Sequence, residues 1–399
     1  MANFKIRSLP KISLHDHLDG GLRPQTIIDL AAEIGYELPA DNAKELGEWF
    51  NAAASSGSLP KYLECFDHTI AVMQTPEALQ RIAKEYVLDL ANDGVIYGEV
   101  RWAPEQHLRN GLTLDEVVDA VQDGLEEGAR IVDEQGGYIR TGQIITAMRH
   151  ADRSLEIAEL AVRHRADGVV GFDIAGAENG FPASNHKAAF DYLAGELMPV
   201  TVHAGEADGV ESVKDALISG RALRIGHGVR LSEDIILSRE EGDTDYVSLG
   251  PVARWVFDRQ IPLELCPSSN LQTGAIEAWG EELEDHPFDL MYELGFKVTV
   301  SVDNRLLGRT TLTRELENLA DTFGYGIGDI EQFQMNAAAA TFQDFEAREE
   351  LMEMIAEGFA RAGNRRGRGD ARACTQYAGQ MHPVGSTAAC RGSLRVRHP

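Results

Sequence analysis

Nothing in this sequence offers a disulfide framework or a thiolate metal site. Its four cysteines, Cys65, Cys266, Cys374 and Cys390, lie far apart with no Cys-x-x-Cys pair, so each is read as a reduced thiol. Basic charge is scarce: 37 Lys and Arg stand against 64 Asp and Glu, for a formal net charge of −27. A phosphate backbone or an anionic membrane recruits a basic footprint. Neither nucleic acid nor membrane is therefore expected as a partner, and a small ligand held by local contacts is. No run approaches the roughly 18 apolar residues of a membrane span, and Met1 to Pro10 has no apolar signal segment, which points to a cytoplasmic protein. Absent too is a Gly-x-Gly-x-x-Gly that leaves a strand and opens a helix, the mark of a dinucleotide site.

What the chain does have is alternation. Strand-like segments fall at 11–20, 95–102, 139–148, 169–174, 199–203, 223–227, 261–266 and 297–302, with helix-like periodicity between them at 21–36, 76–91, 113–134, 152–164, 185–197, 211–220 and 287–294. The stretch 245–257 reads as partly helical. Strict alternation implies a parallel sheet with right-handed crossovers, and eight strands are the number that closes a barrel. The expected fold is α/β, a (β/α)₈ TIM barrel with additional helices. An open doubly wound sheet is the alternative, weakened by the missing glycine fingerprint. Residues 38–75 are less regular, with Trp49, Phe50, Leu59, Tyr62, Leu63 and Phe66. They read as ordinary helix packing or as a lid over a site at the strand ends. A helical region at 335–361 closes the globular part. From Arg361 onward come eight arginines and one acid, Asp370, among Gly, Ser and Pro, a composition without a core-forming period. Residues 1–362 are thus expected to be the barrel and 363–399 a disordered tail.

The chemistry concentrates where barrel enzymes keep it, at the carboxyl ends of strands. In Lys11-Ile12-Ser13-Leu14-His15-Asp16-His17-Leu18-Asp19-Gly20, His15 and His17 lie on one face of a strand because side chains alternate. A His-x-His pair alone is weak. Here His203, His227 and Asp303 stand at the ends of three later strands. Singly, His203 reads as a core histidine, His227 as a turn cap and Asp303 as a helix N-cap; jointly they read as a metal site. Three imidazoles and a carboxylate suit zinc, which brings the pKa of bound water to about 7. The fourth strand has no lysine to bridge a second ion, so one metal is expected. Glu206, three residues after His203, is either a helix-start carboxylate or a proton carrier. Gly226-His227-Gly228 places an imidazole where backbone can approach closely.

These motifs, with Leu9-Pro10-Lys11, Ser58-Leu59-Pro60-Lys61-Tyr62-Leu63, Arg224-Ile225-Gly226-His227-Gly228 and Cys266-Pro267-Ser268-Ser269-Asn270, resemble the adenosine deaminase family of the metal-dependent amidohydrolase superfamily over roughly residues 9 to 345. The resemblance implies one zinc ion on His15, His17, His203 and Asp303, with Glu206 protonating purine N1 and His227 steering the attack on C6. It implies substrate contacts from His17, Asp19, Gly176 and Asn304. Asp19 would meet the ribose and the backbone of Gly176 the purine N3. The chain departs from the family at Asn304, where a second aspartate is usual; its amide offers N7 a donor at any pH. The implied reaction is hydrolysis of adenosine and 2′-deoxyadenosine to inosine and 2′-deoxyinosine plus ammonia. The alternatives are deamination of adenine or a modified purine, and a purine-binding homologue without turnover. His17-Leu18-Asp19-Gly20, in place of His-Leu-Glu-Gly, favours the nucleoside.

Overall fold

The computed structural model describes residues 5–240 and 244–364. Its parallel strands are β1 (Lys11–His17), β2 (Val95–Trp102), β3 (Arg140–Met148), β4 (Val169–Ala175), β5 (Thr201–Ala204) and β6 (Arg224–His227). After an antiparallel hairpin, β7 (Ile235–Glu240) and β8 (Thr244–Leu249), come β9 (Leu263–Leu265) and β10 (Val298–Val300). The sheets run β1-β2-β3-β4 and β10-β9-β6-β5. Two bridges join them, Phe172 to Val200 and Asp16 to Asp303. That closure makes one eight-stranded parallel barrel and excludes the open sheet. Its strands are buried almost throughout, as strands covered on both faces must be.

The helices between strands start where the sequence signals them. Pro76–Asn92 opens on Thr75, whose hydroxyl accepts the Ala78 N–H, with Pro at its first position. Leu114–Glu134 opens on a reciprocal capping box of Thr113 and Glu116. These two helices pack so closely that a Cβ on Gly124 would come within 2.3 Å of the Gln80 carbonyl, so only glycine fits there.

Residues 245–257 are partly helical, as expected, but hold a strand that was not foreseen. Their first part belongs to the β7–β8 hairpin, and the helix is Pro251–Asp258. The cap comes from a distance: Asp234 accepts the N–H groups of Val252 and Ala253, a contact that local periodicity cannot register. The closing helical region is two helices, Ile327–Ala340 and Phe345–Asn364. The tail from residue 365 lies outside the described residues. No described helix is long and apolar enough to cross a membrane.

Candidate metal centre and active site

The seam that closes the barrel carries the metal-ligand candidates. The N–H of His17 donates to the Asp303 carbonyl at 2.8 Å, and the N–H of Asp303 donates to the His15 carbonyl at 2.9 Å. Backbone pairing itself therefore sets these three residues against one another. The β1–β2 register shifts between Ser13 and Asp16, where His15 sits, and such irregularities re-aim side chains near active sites. β5 contributes His203 and β6 ends on His227. Asp303 and His227 both have φ of 59°, unusual for residues with a Cβ. Ligand atoms of His15, His17, His203 and Asp303 lie within 4.8 Å of one another. His15 Nε2 and His17 Nε2 are 3.3 and 3.4 Å from Asp303 Oδ1, and His17 Nε2 is 3.1 Å from His203 Nε2.

The far side of two rings shows what the near side offers. His15 Nδ1 is 3.1 Å from Glu264 Oε2, and His203 Nδ1 is 2.9 Å from Asp173 Oδ2. An ionised carboxylate only accepts, so each Nδ1 carries a proton and each Nε2 faces the cluster. His15 Nε2 is buried without a hydrogen-bond partner. Burial holds His17 well below, and His203 below, the ordinary histidine pKa, whereas at His15 burial and Arg101 are outweighed by the Asp303 and Glu264 carboxylates, which raise it. Three imidazoles and a carboxylate converge on one buried space. This donor set fits a metal ion.

Beneath the histidines lies a buried ionic network that reading the sequence missed. Arg101 donates to Asp173 at 2.9 Å and to Glu264 at 2.7 Å. Arg224 donates to Glu264 at 2.6 Å and pairs with Glu99 at 2.6 Å. Ser269 donates to the outer oxygen of Asp303 at 2.6 Å. The available signal was a charge in mid-strand, Glu99 and Arg101 in β2, Asp173 in β4 and Glu264 in β9. A charge in a strand buried on both faces must find a partner.

Glu206 follows β5, buried, with Oε2 3.6 Å from His227 Nε2. Burial, then the Asp303 and Glu178 carboxylates, push its pKa well above the carboxylate range. Glu178, also missed, accepts the N–H groups of Gly205, Glu206, Ala207 and Asp208 and the hydroxyl of Ser212, anchoring the loop that presents Glu206. A cleft of ≈ 650 Å³ brings His17, Asp19 and Gly176 together under Leu63, Phe66 and Ile70. Within the 38–75 segment Phe50 packs in the core, while Leu63 and Phe66 line the cleft. Burial raises Asp19 to about 7, and its Oδ1 has no partner. Asn304 adjoins Asp303 and donates to the Tyr62 hydroxyl at 2.8 Å. A larger cleft of ≈ 820 Å³ lies between segments 21–24 and 305–321, without the candidate ligand histidines.

The adenosine deaminase family model matches residues 10–358. The chain belongs to the adenosine deaminase family. Adenosine deaminase 1 of Streptomyces coelicolor is 53% identical over 358 residues, covering 89% of this chain and 88% of its own. Adenosine deaminase of Mycobacterium marinum is 51% identical, covering 88% and 95%. Among solved structures, adenine deaminase from Arthrobacter aurescens matches with a TM-score of 0.73 at 25% identity, over 88% of this chain and 98% of its own. An amidohydrolase with bound zinc from Burkholderia ambifaria matches in fold with a TM-score of 0.76 at 23% identity, over 90% and 93%. This deaminase is thus a hydrolytic enzyme of a metal-dependent family, and its buried His/Asp cluster is where a metal fits.

Proposed function

We propose that this deaminase hydrolyses adenosine and 2′-deoxyadenosine, nucleoside and water giving inosine or 2′-deoxyinosine and ammonia, with one zinc ion on His15, His17, His203 and Asp303. The observation that carries the proposal is a buried carboxyl, Glu206, whose pKa is raised by burial and by two neighbouring carboxylates, beside that cluster in a chain about half identical to named adenosine deaminases. Three nitrogens and one oxygen suit zinc. When bound, the metal supplies the nucleophile by bringing the pKa of water toward about 7.

The protein's own groups do the rest. Glu206 holds a proton and delivers it to purine N1 as oxygen adds to C6, a general acid step typically worth about 10²–10⁴ in rate. His227 turns Nε2 toward the same space, 3.6 Å from Glu206, and orients the incoming oxygen. The backbone N–H of Gly176 meets N3. Asn304 has one amide hydrogen engaged by Tyr62 and the other free for N7. Asp19, beside His17, accepts from the 5′-hydroxyl; burial already disfavours its negative charge, and a 5′-phosphate would add a second anion. Leu63 and Phe66 exclude water from the cleft.

The test is kcat/KM for adenosine, 2′-deoxyadenosine, AMP and adenine side by side at one ionic strength. The two nucleosides should lead, and Asp19→Ala should narrow the gap between adenosine and adenine. AMP or adenine as the best substrate would overturn the nucleoside assignment, and full turnover by metal-free protein would overturn the metal centre.

A further inference from the structure

A chain of buried hydrogen bonds leads from a peptide N–H to His227, and each link has a defined polarity. The N–H of Phe288 donates to His286 Nδ1 at 3.0 Å. A peptide N–H can only donate, so His286 Nδ1 carries no proton. Burial depresses the pKa of His286 to about 3, so the ring is neutral and its one proton sits on Nε2. That Nε2 lies 3.2 Å from Asn270 Oδ1, which accepts. The amide is thereby oriented, and its Nδ2 donates to His227 Nδ1 at 3.0 Å. His286, Asn270 and His227 are 2%, 0% and 1% exposed, so water does not compete for these positions.

We infer that Asn270 and His286 are positioning residues that hold His227 in the tautomer with its proton on Nε2, the nitrogen facing Glu206. The inference deepens the proposed function and rests on its placement of His227 in the site. The relay places a proton on one nitrogen of a neutral ring; it does not titrate one. A His227 so held offers a donor to an oxygen arriving between it and the ligand cluster, and no lone pair. The opposite tautomer would present a lone pair to the same oxygen and lose that hydrogen bond. Asn270 also accepts the Ala275 N–H at its carbonyl and donates its own N–H to Cys266, so the helix Pro267–Thr273 fixes the amide's location. The sequence marks Asn270 only as the last residue of Cys266-Pro267-Ser268-Ser269-Asn270 and leaves His286 without any motif.

The decisive variant is Asn270→Asp, which keeps the shape and replaces the amide donor by an oxygen. That oxygen draws the His227 proton to Nδ1. In the full-length, metal-loaded protein with ¹⁵N-labelled histidine, long-range ¹⁵N–¹H correlations report each ring's tautomer, and His227→Gln identifies the signal. Wild type should show His227 protonated on Nε2, and Asn270→Asp should show it on Nδ1. The variant should retain its metal, change KM by no more than a few-fold and lose about 10²–10⁴ in kcat, the range seen when a catalytic histidine is held wrongly. His286→Gln, whose amide nitrogen stands where Nε2 stood, should restore the wild-type pattern where His286→Phe does not. A wild-type His227 protonated on Nδ1 overturns the inference, even if no variant folds. So does an Asn270→Asp protein whose His227 carries its proton on Nε2 and none on Nδ1. An inverted tautomer with undiminished kcat would confirm the relay and overturn the role given to His227 in the reaction.

Discussion

Glu264→Gln removes one charge and no volume, at the point where the ionic network meets the proposed metal ligands. The carboxylate receives four donors: His15 Nδ1 at 3.1 Å, Arg101 at 2.7 Å, Arg224 at 2.6 Å and Thr201 at 3.2 Å. Arg101 and Arg224 outweigh the cost of burial and hold its pKa well below the usual range. A glutamine keeps one accepting oxygen and turns an NH₂ toward groups that also donate, leaving Arg101 or Arg224 buried with a donor unmet. Breaking a buried ion pair by removing one partner costs about 3–5 kcal/mol. Loss of the carboxylate behind a ligand histidine lowers metal affinity about 10–100-fold, or about 1.4–2.7 kcal/mol. Urea denaturation of metal-free protein reads the first effect as a lower midpoint at unchanged slope, and competition with a chelator reads the second. A variant within about 1 kcal/mol of wild type, with unchanged metal affinity, would show that the network neither stabilises the barrel nor orients His15.

Glu206→Gln keeps size and polarity but cannot deliver a proton. Its kcat should drop at least about 10²-fold with metal content intact, and near-normal turnover would reduce Glu206 to a helix-start residue. Gly20→Ala would set a Cβ 1.7 Å from Asn304 Oδ1, forcing Asn304 off Tyr62. We expect about 1–3 kcal/mol of destabilisation and a weakened nucleoside KM, and an unchanged melting temperature with unchanged KM would contradict this packing. Stability should also fall in acid. Burial depresses His107 to about 4, so between its unfolded pKa near 6.5 and about 4 the unfolded chain binds the extra proton. The contribution of the neutral ring is fully present above pH 6.5 and is lost as pH falls, about 2 kcal/mol by pH 5 at about 1.36 kcal/mol per unit. Denaturation at pH 7 and pH 5 should show wild type losing that much more than His107→Gln, and equal losses would mean that His107 is not buried neutral.

Much of the fold was legible because its signals are local. Alternating apolar runs and helical periods mark eight strands. The helical periods at 76–91 and 113–134 begin near where the helices are observed. The hairpin at β7 and β8 was not legible, since the following helix is capped by Asp234 across the hairpin and not by a neighbour in sequence.

The same division runs through the site. His15 and His17 share a face by strand alternation, and the three-residue step from His203 to Glu206 and the glycines around His227 are visible in one dimension, so the sequence by itself determined the residue types and the strand ends that bear them. It could not determine how they are held. Glu264 reads as an ordinary polar residue between Leu263 and Leu265, yet Arg101, which neutralises it, stands 163 positions away. Glu178 looks like a loop carboxylate until four N–H groups of the next loop and the Ser212 hydroxyl of the helix after it converge on it. Asn270 and His286 acquire a direction only from the peptide N–H at Phe288. These were decided by the tertiary structure because burial makes every unpaired polar atom expensive, and closing the barrel chooses which distant groups satisfy one another.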